Sequence, residues 1–251
     1  MKNINKFFQI LGLITLILLL FSCGASHSLR DENLYKDDDF AYDQLKNNTM
    51  IIGGIASRMI KFTNEDRIRY GSILSNILVE ELKDVHTINL INTRQLLSKI
   101  GKENYFAMME DFDFEQVFVV EGIRFIRDSM PDAKYILLAY VENENIIDRS
   151  YDEYVEVDGE EQIETDYEKT YLLTIDYQLY DLLAEKMVWK NVIYNQAERT
   201  ETRTTETGCF ESCMSDMFQT MLFGAPAEID RDEVIAETVE RLAENLAKAK
   251  I

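Results

Sequence analysis

The feature that most constrains this chain is a strict alternation near its middle. Tyr171, Leu173, Ile175, Tyr177 and Leu179 alternate with Thr174, Asp176 and Gln178. Side chains repeat every second residue only in a strand, so the period predicts a half-buried β-strand. Asp181–Lys186 reads as a turn, and Met187–Tyr194 returns as the partner strand. Upstream, Met50–Ile60 reads as a buried strand in which Gly53-Gly54 allows close backbone approach. Glu65–Leu82 has helical spacing, with Ile73, Leu74, Ile77, Leu78 and Leu82 on one face. Thr87–Ile91 reads as a short strand, and Thr93 as the cap of a helix that Gly101 stops. Within Asn104–Ser129, Val117–Ile126 fits a strand, but the length of the stretch and the stop at Pro131 favour a helix; Lys134–Val141 reads as a strand. Asp230–Ala249 is amphipathic, with Asp230 and Glu233 at capping-box spacing and Val234, Ile235, Val239, Leu242 and Leu246 as its stripe. The order β-α-β-α-α-β-β-β-α predicts an α/β class, with helices packed on one mixed sheet.

The start of the chain carries a different signal. Lys2 and Lys6 precede an apolar run from Ile10 to Phe21. The run is too short for a spanning helix, which needs about 20 apolar residues, and fits a secretory signal. It ends in Leu20-Phe21-Ser22-Cys23. This resembles the lipobox of bacterial lipoproteins, with a bulkier residue than usual at Phe21. The resemblance implies cleavage before Cys23, lipidation of its sulfur and a membrane anchor. Gly24, not aspartate, follows the cysteine. By the enterobacterial sorting rule this implies the outer membrane. The expected organisation is a signal peptide over 1–22, the lipidated cysteine and an acidic tether over 23–48, and one α/β envelope domain over 49–251.

Charge narrows the partners. The formal net charge is −20, and loss of Lys2 and Lys6 takes it from −20 to −22. Phosphate binding needs a basic surface, so nucleic acid is not expected as a partner. Anionic headgroups repel such a chain, which leaves retention at the membrane to the lipid.

The predicted strands and helices resemble the periplasmic domain of curli-secretion-type lipoproteins and the amino-terminal domain of the Tol–Pal translocation protein. Ile51–Ala56, Ile68–Leu82, Ile88–Ile91 with Thr93–Ile100, Ala133–Leu137, and the strands Leu172–Asp176 and Glu185–Trp189 about their turn carry the likeness. It implies an assembly or interaction role in the cell envelope, with an envelope protein or a second copy as partner, and supplies no catalytic residue. Curli-type channels also need membrane-crossing hairpins with an apolar face. Here Glu142–Glu168 holds twelve acids against Arg149 alone, and Gln196–Thr207 is mostly Thr, Glu and Arg. The expectation is the fold without the pore.

Remaining constellations are weighed on their residues. The acidic stretch, with Asp158-Gly159-Glu160-Glu161 at its centre, is a candidate Ca²⁺ or ligand module. It reads more simply as a solvated hairpin extension. Cys209 and Cys213 read as a local structural disulfide, with two free thiols as the alternative. Their spacing is not the Cys-x-x-Cys of redox pairs. Phe210, Met214, Met217, Phe218, Met221 and Leu222 repeat at helical spacing. They form either a helix on the domain's own core or a partner-docking helix, since Met-rich stripes adapt to varied surfaces. His27 and His86 have no companions at ligand spacing, so no metal or cofactor is expected. No nucleophile elbow, phosphate loop or zinc-protease motif occurs, and an enzyme is not expected.

Overall fold

Asn92 and Gln95 show how the sequence sets local structure. Asn92 Oδ1 accepts the Gln95 amide at 2.9 Å, and Gln95 Oε1 accepts the Asn92 amide at 2.9 Å. This reciprocal capping box starts a helix at the residue after Asn92. The expected cap, Thr93, is instead fully buried, its hydroxyl 3.0 Å from the carbonyls of Ile52 and Gly71. The hydroxyl's single proton is shared between, or alternates among, these acceptors, and the buried position leaves the capping role to Asn92.

The computed structural model describes residues 26–57, 62–82, 88–157, 160–206 and 228–247. Among them are six strands: β1 Ser26–Lys36, β2 Thr49–Ser57, β3 Asn89–Ile91, β4 Tyr135–Val157, β5 Glu160–Asp181 and β6 Lys186–Glu206. The helices are α1 Asn64–Leu82, α2 Thr93–Ile100, α3 Lys102–Glu115, α4 Val120–Ser129 and α5 Arg231–Ala247. The strands form one mixed sheet in the order β1-β6-β5-β4-β2-β3, with β2 parallel to both β3 and β4. This is the α/β class expected. None of the described helices is long and apolar enough to cross a membrane.

Two departures from expectation concern element ends. The stretch 24–48, expected as a solvated tether, carries β1 and a short 3-10 turn at Tyr42–Leu45. Most β1 side chains are exposed, so no apolar period marked it. Backbone pairing with β6 and side-chain ties hold it instead. The expected single helix over 104–129 is two, α3 and α4. Gln116 ends α3 in the left-handed region at φ 58°. Its side chain bonds Tyr140 Oη at 3.1 Å, and its carbonyl accepts Gln178 Nε2 at 2.9 Å.

The residues group into two compact units. The larger unit comprises Ser28–Ile147, Tyr171–Gln196 and Asp230–Ile251. In it β2 is buried along almost its whole length. Gly53 makes this possible: a Cβ there would lie 2.4 Å from Leu138 Cδ2. The register with β4 slips between Ile52 and Gly54, and Gly54 sits at φ 133°. One core cluster joins Ile51, Ile136 and Leu138 to Leu96, Tyr105, Met109, Phe112, Ile123 and Ile126 of α2, α3 and α4. α1 packs on β2 and on α5. The predicted α5 stripe is buried, and Tyr177 Oη lies 2.8 Å from Thr238 Oγ1. Asp230 Oδ1 accepts the Asp232 amide at 2.9 Å at the helix start.

The smaller unit comprises Met1–His27, Asp148–Thr170 and Ala197–Ile229. Its described part consists of parts of β4, β5 and β6 with the first residues of β1. Thr165 Oγ1 donates to Asp152 at 2.9 Å, and Lys169 pairs with Asp148 at 3.5 Å. Arg203 is buried, 2.8 Å from Glu201, with its guanidinium 5.8 Å from the Tyr167 ring centre.

Candidate functional site

The residues singled out as a possible docking helix, Phe210, Met214, Met217, Phe218, Met221 and Leu222, lie outside the described residues. So do Cys23, Cys209, Cys213, His86 and the hairpin tip Asp158-Gly159. His27 lies in β1.

The larger unit assembles a polar site that the alternation concealed. Thr174, Asp176 and Gln178 were expected to face solvent, yet all are buried; Asp176 is 3% exposed. Gln116 and Phe118, in the turn between α3 and α4, reach this second face. Tyr180 Oη accepts the Phe118 amide at 2.8 Å and donates to Gln178 Oε1. Gln178 Nε2 reaches Asp176 Oδ2 at 2.7 Å, and Lys190 Nζ reaches the same oxygen at 2.6 Å. Asp176 Oδ1 has no hydrogen-bond partner among the described residues.

Charge then runs across four strands, from Glu32 on β1 through Lys190 on β6 and Asp176 on β5 to Glu142 on β4. Partial burial, followed by the charge of Asp176, raises the Glu142 carboxyl above its ordinary range. Lys190 opposes the shift, and Glu32 adds to it. Burial also raises the Tyr180 phenol, so it remains a neutral hydrogen-bonding group. Lys190 pairs with Asp176, and Arg30 pairs with Glu32 at 2.8 Å. Lys190 thus neutralises the charge of the buried Asp176.

Two further clusters tie the ends of the larger unit together. Asp31 on β1 accepts Arg241 at 2.6 Å, Asn191 at 3.1 Å and Asn245 at 2.6 Å. Burial alone would raise the Asp31 carboxyl, but the bonds from Arg241, Asn191 and Asn245 hold it below its ordinary value. Glu144 accepts Arg231 at 2.6 Å and also the Tyr171 hydroxyl. The Arg231 guanidinium lies 5.2 Å from the Tyr70 ring centre and 5.7 Å from that of Phe62. A cleft of about 410 Å³ is lined by Ile91, Gln95, Lys99, Ser129 and Asp132 among others. Gln95, Lys99 and Asp132 are exposed there, and Gln95 is already committed to the cap of α2.

Another accessible feature among the described residues is the β1 edge of the sheet. Among the described residues β1 has one strand neighbour, β6. Leu29, Leu34 and Tyr35 on it are exposed at 37%, 60% and 43%. A long edge strand presents backbone donors and acceptors that another strand can pair. Sequence reasoning missed this edge because hydrogen bonding along a backbone leaves no side-chain period.

No protein-family model matches the chain, and no curated protein matches it. Among solved structures the chain is similar to the PelC dodecamer from Paraburkholderia phytofirmans, at 12% identity and a TM-score of 0.38 over 88% of this chain and 98% of that one. It is also similar to the lipoprotein GNA1162 from Neisseria meningitidis, at 9% identity and a TM-score of 0.35 over 70% of this chain and 97% of that one. A third is the hypothetical protein CT253 from Chlamydia trachomatis, at 9% identity and a TM-score of 0.32 over 80% and 98%.

Proposed function

We propose that this chain is a lipid-anchored lipoprotein of the bacterial cell envelope, at the outer membrane, whose α/β domain is a non-catalytic interaction or assembly module. The observation that carries the reading is the apolar run closing on Leu20-Phe21-Ser22-Cys23. Several acyl chains on one residue give a stable anchor where a single chain gives marginal binding. The exposed β1 edge supports the interaction role, because strand addition uses backbone groups of this kind. The carboxylates of the larger unit support it too: Asp176, Asp31 and Glu144 are each paired with a cation within the fold. The partner is a second copy or another envelope protein.

Flotation of wild-type protein and Cys23→Ser on vesicles, with intact mass, tests the anchor. Added hydrocarbon mass on Cys23 and loss of flotation in the variant are expected. Cross-linking of the acylated protein in envelope extracts tests the module. Links from β1 to a second copy or to an envelope protein are expected. A protein that stays monomeric and unlinked while remaining anchored overturns the interaction role.

A further inference from the structure

Residues 28–36 of β1 lie in the larger unit. Among the described residues their outer edge has no strand beside it, whereas the opposite edge of the sheet is β3, three residues long. A free edge of that length is a template for another strand. The chain is strongly acidic, at −20, yet residues 28–36 balance Arg30 and Lys36 against Asp31 and Glu32. Repulsion between two acidic chains is weakest where each is locally neutral. Arg30 and Glu32 share one face of the strand. Arg30 Nε lies 2.8 Å from Glu32 Oε1, and the two side chains stay open to solvent at 62% and 38%. The Arg30 guanidinium rests 4.1 Å from the Tyr194 ring centre. Asp31 points the other way, to Arg241 and Asn245 of α5.

Resting on the reading of β1 as the interaction edge, we propose that its occupant is β1 of a second copy, paired antiparallel about a two-fold axis at Asp31. Residues directly opposite in an antiparallel pair share a face and interact. Arg30 then stands opposite Glu32 of the second copy, and Glu32 opposite its Arg30. Leu29 stands opposite Asn33. Asp31 on the axis brings its own Arg241, so the two like charges arrive neutralised. A centre at Leu34 would oppose Glu32 to Lys36, but it places Asn33 inside the paired run. Asn33 sits at φ 50°, in the left-handed region that interrupts a ladder. Centring on Asp31 leaves Asn33 at the end of the run. The contact uses the same patch on both copies, so it closes at two and does not propagate.

The test reads assembly of the full acylated chain in detergent by native mass spectrometry, with thermal melting on the same samples. Wild type is expected to be dimeric. Arg30→Glu sets acid opposite acid, and Glu32→Arg sets base opposite base. Each alone should weaken association about tenfold or more. Mixing Arg30→Glu with isotopically heavy Glu32→Arg should restore association as a species of mixed mass, because each strand then carries the charge the other lacks. No change within one strand can supply that rescue. Lys36→Glu should leave association unchanged. If the single variants lose the wild-type melting transition, the chain carrying both substitutions takes their place and should associate as wild type does. A monomeric wild type overturns the proposal. So do folded single variants that associate fully, or a mixture or doubly substituted chain that stays monomeric. Loss with Lys36→Glu but not with Arg30→Glu overturns the Asp31 centre. Cross-linking in envelope extracts keeps the two readings apart. A monomeric chain whose β1 links to an envelope protein sinks self-pairing alone, whereas a chain with no links sinks the interaction role.

Discussion

The same three strands, β4, β5 and β6, behave differently in the two units. In the larger unit β5 buries both of its faces: Leu173, Ile175, Tyr177 and Leu179 on one, Thr174, Asp176 and Gln178 on the other. In the smaller unit the neighbouring stretch of β4, from Asp148 to Tyr154, is exposed throughout. Strand pairing is common to both, so the ladder of backbone hydrogen bonds alone accounts for secondary structure. Burial distinguishes them, and it is present where α3, α4 and α5 supply side chains to cover the sheet. Stability should therefore concentrate in the larger unit, and solubility in the smaller.

The contrast can be broken most directly at Trp189, which is fully buried and donates Nε1 to Tyr42 at 3.1 Å. Trp189→Ala is expected to cost about 3–5 kcal/mol in urea unfolding. A cost below about 1 kcal/mol would show that the larger unit is not the stable one. Next comes Lys190→Met, which strands Asp176 without its cation and should cost about 3 kcal/mol. Adding Asp176→Leu to it should recover most of that loss, because the uncompensated charge is then gone. Failure of the double variant to recover would mean the row matters through packing and not through charge. Gly54→Ala follows, at about 2 kcal/mol or more. Its Cβ would meet Tyr105 Oη at 2.6 Å, in a backbone conformation at φ 133°.

A subtler test is the pH response of Glu185. Hydrogen bonds from Arg124 and then Arg127 hold its carboxyl down to about 2, from an ordinary 4.5. A depressed carboxyl stabilises the fold fully above its unfolded value, and that stabilisation is lost as pH falls through the folded value. The stability gap between wild type and Glu185→Gln should thus be flat above pH 4.5, narrow below it and vanish near 2. A gap that persists unchanged to pH 2 would contradict the ion-pair origin. The smallest effect is expected in the smaller unit, where Tyr154→Ser should change stability by less than about 0.5 kcal/mol. A loss comparable to that of Trp189→Ala would erase the distinction between the units.

Much of the fold was legible because apolar side chains repeat. The period of two in Tyr171–Leu179, the stripe Val234–Leu246 and the paired glycines at 53–54 each state a local requirement that any fold must meet. The site was less legible. Asp176 and Glu142 are two of 46 acidic residues, and nothing local separates the one buried against Lys190 from those facing water. β1 was missed for a related reason, since its stability lies in backbone pairing and in Asp31 meeting Arg241 from far along the chain.

By itself, then, the sequence determined the α/β class, most of the strands and helices, and the acidic character of the chain. Tertiary structure alone decided that β5 is covered on both faces, that Gln116 divides one apolar stretch into two helices, and that β1 follows Cys23 almost at once. The physical reason is range. Periodicity records what each residue demands of its near neighbours, whereas covering a face or pairing an edge depends on which distant segment arrives there.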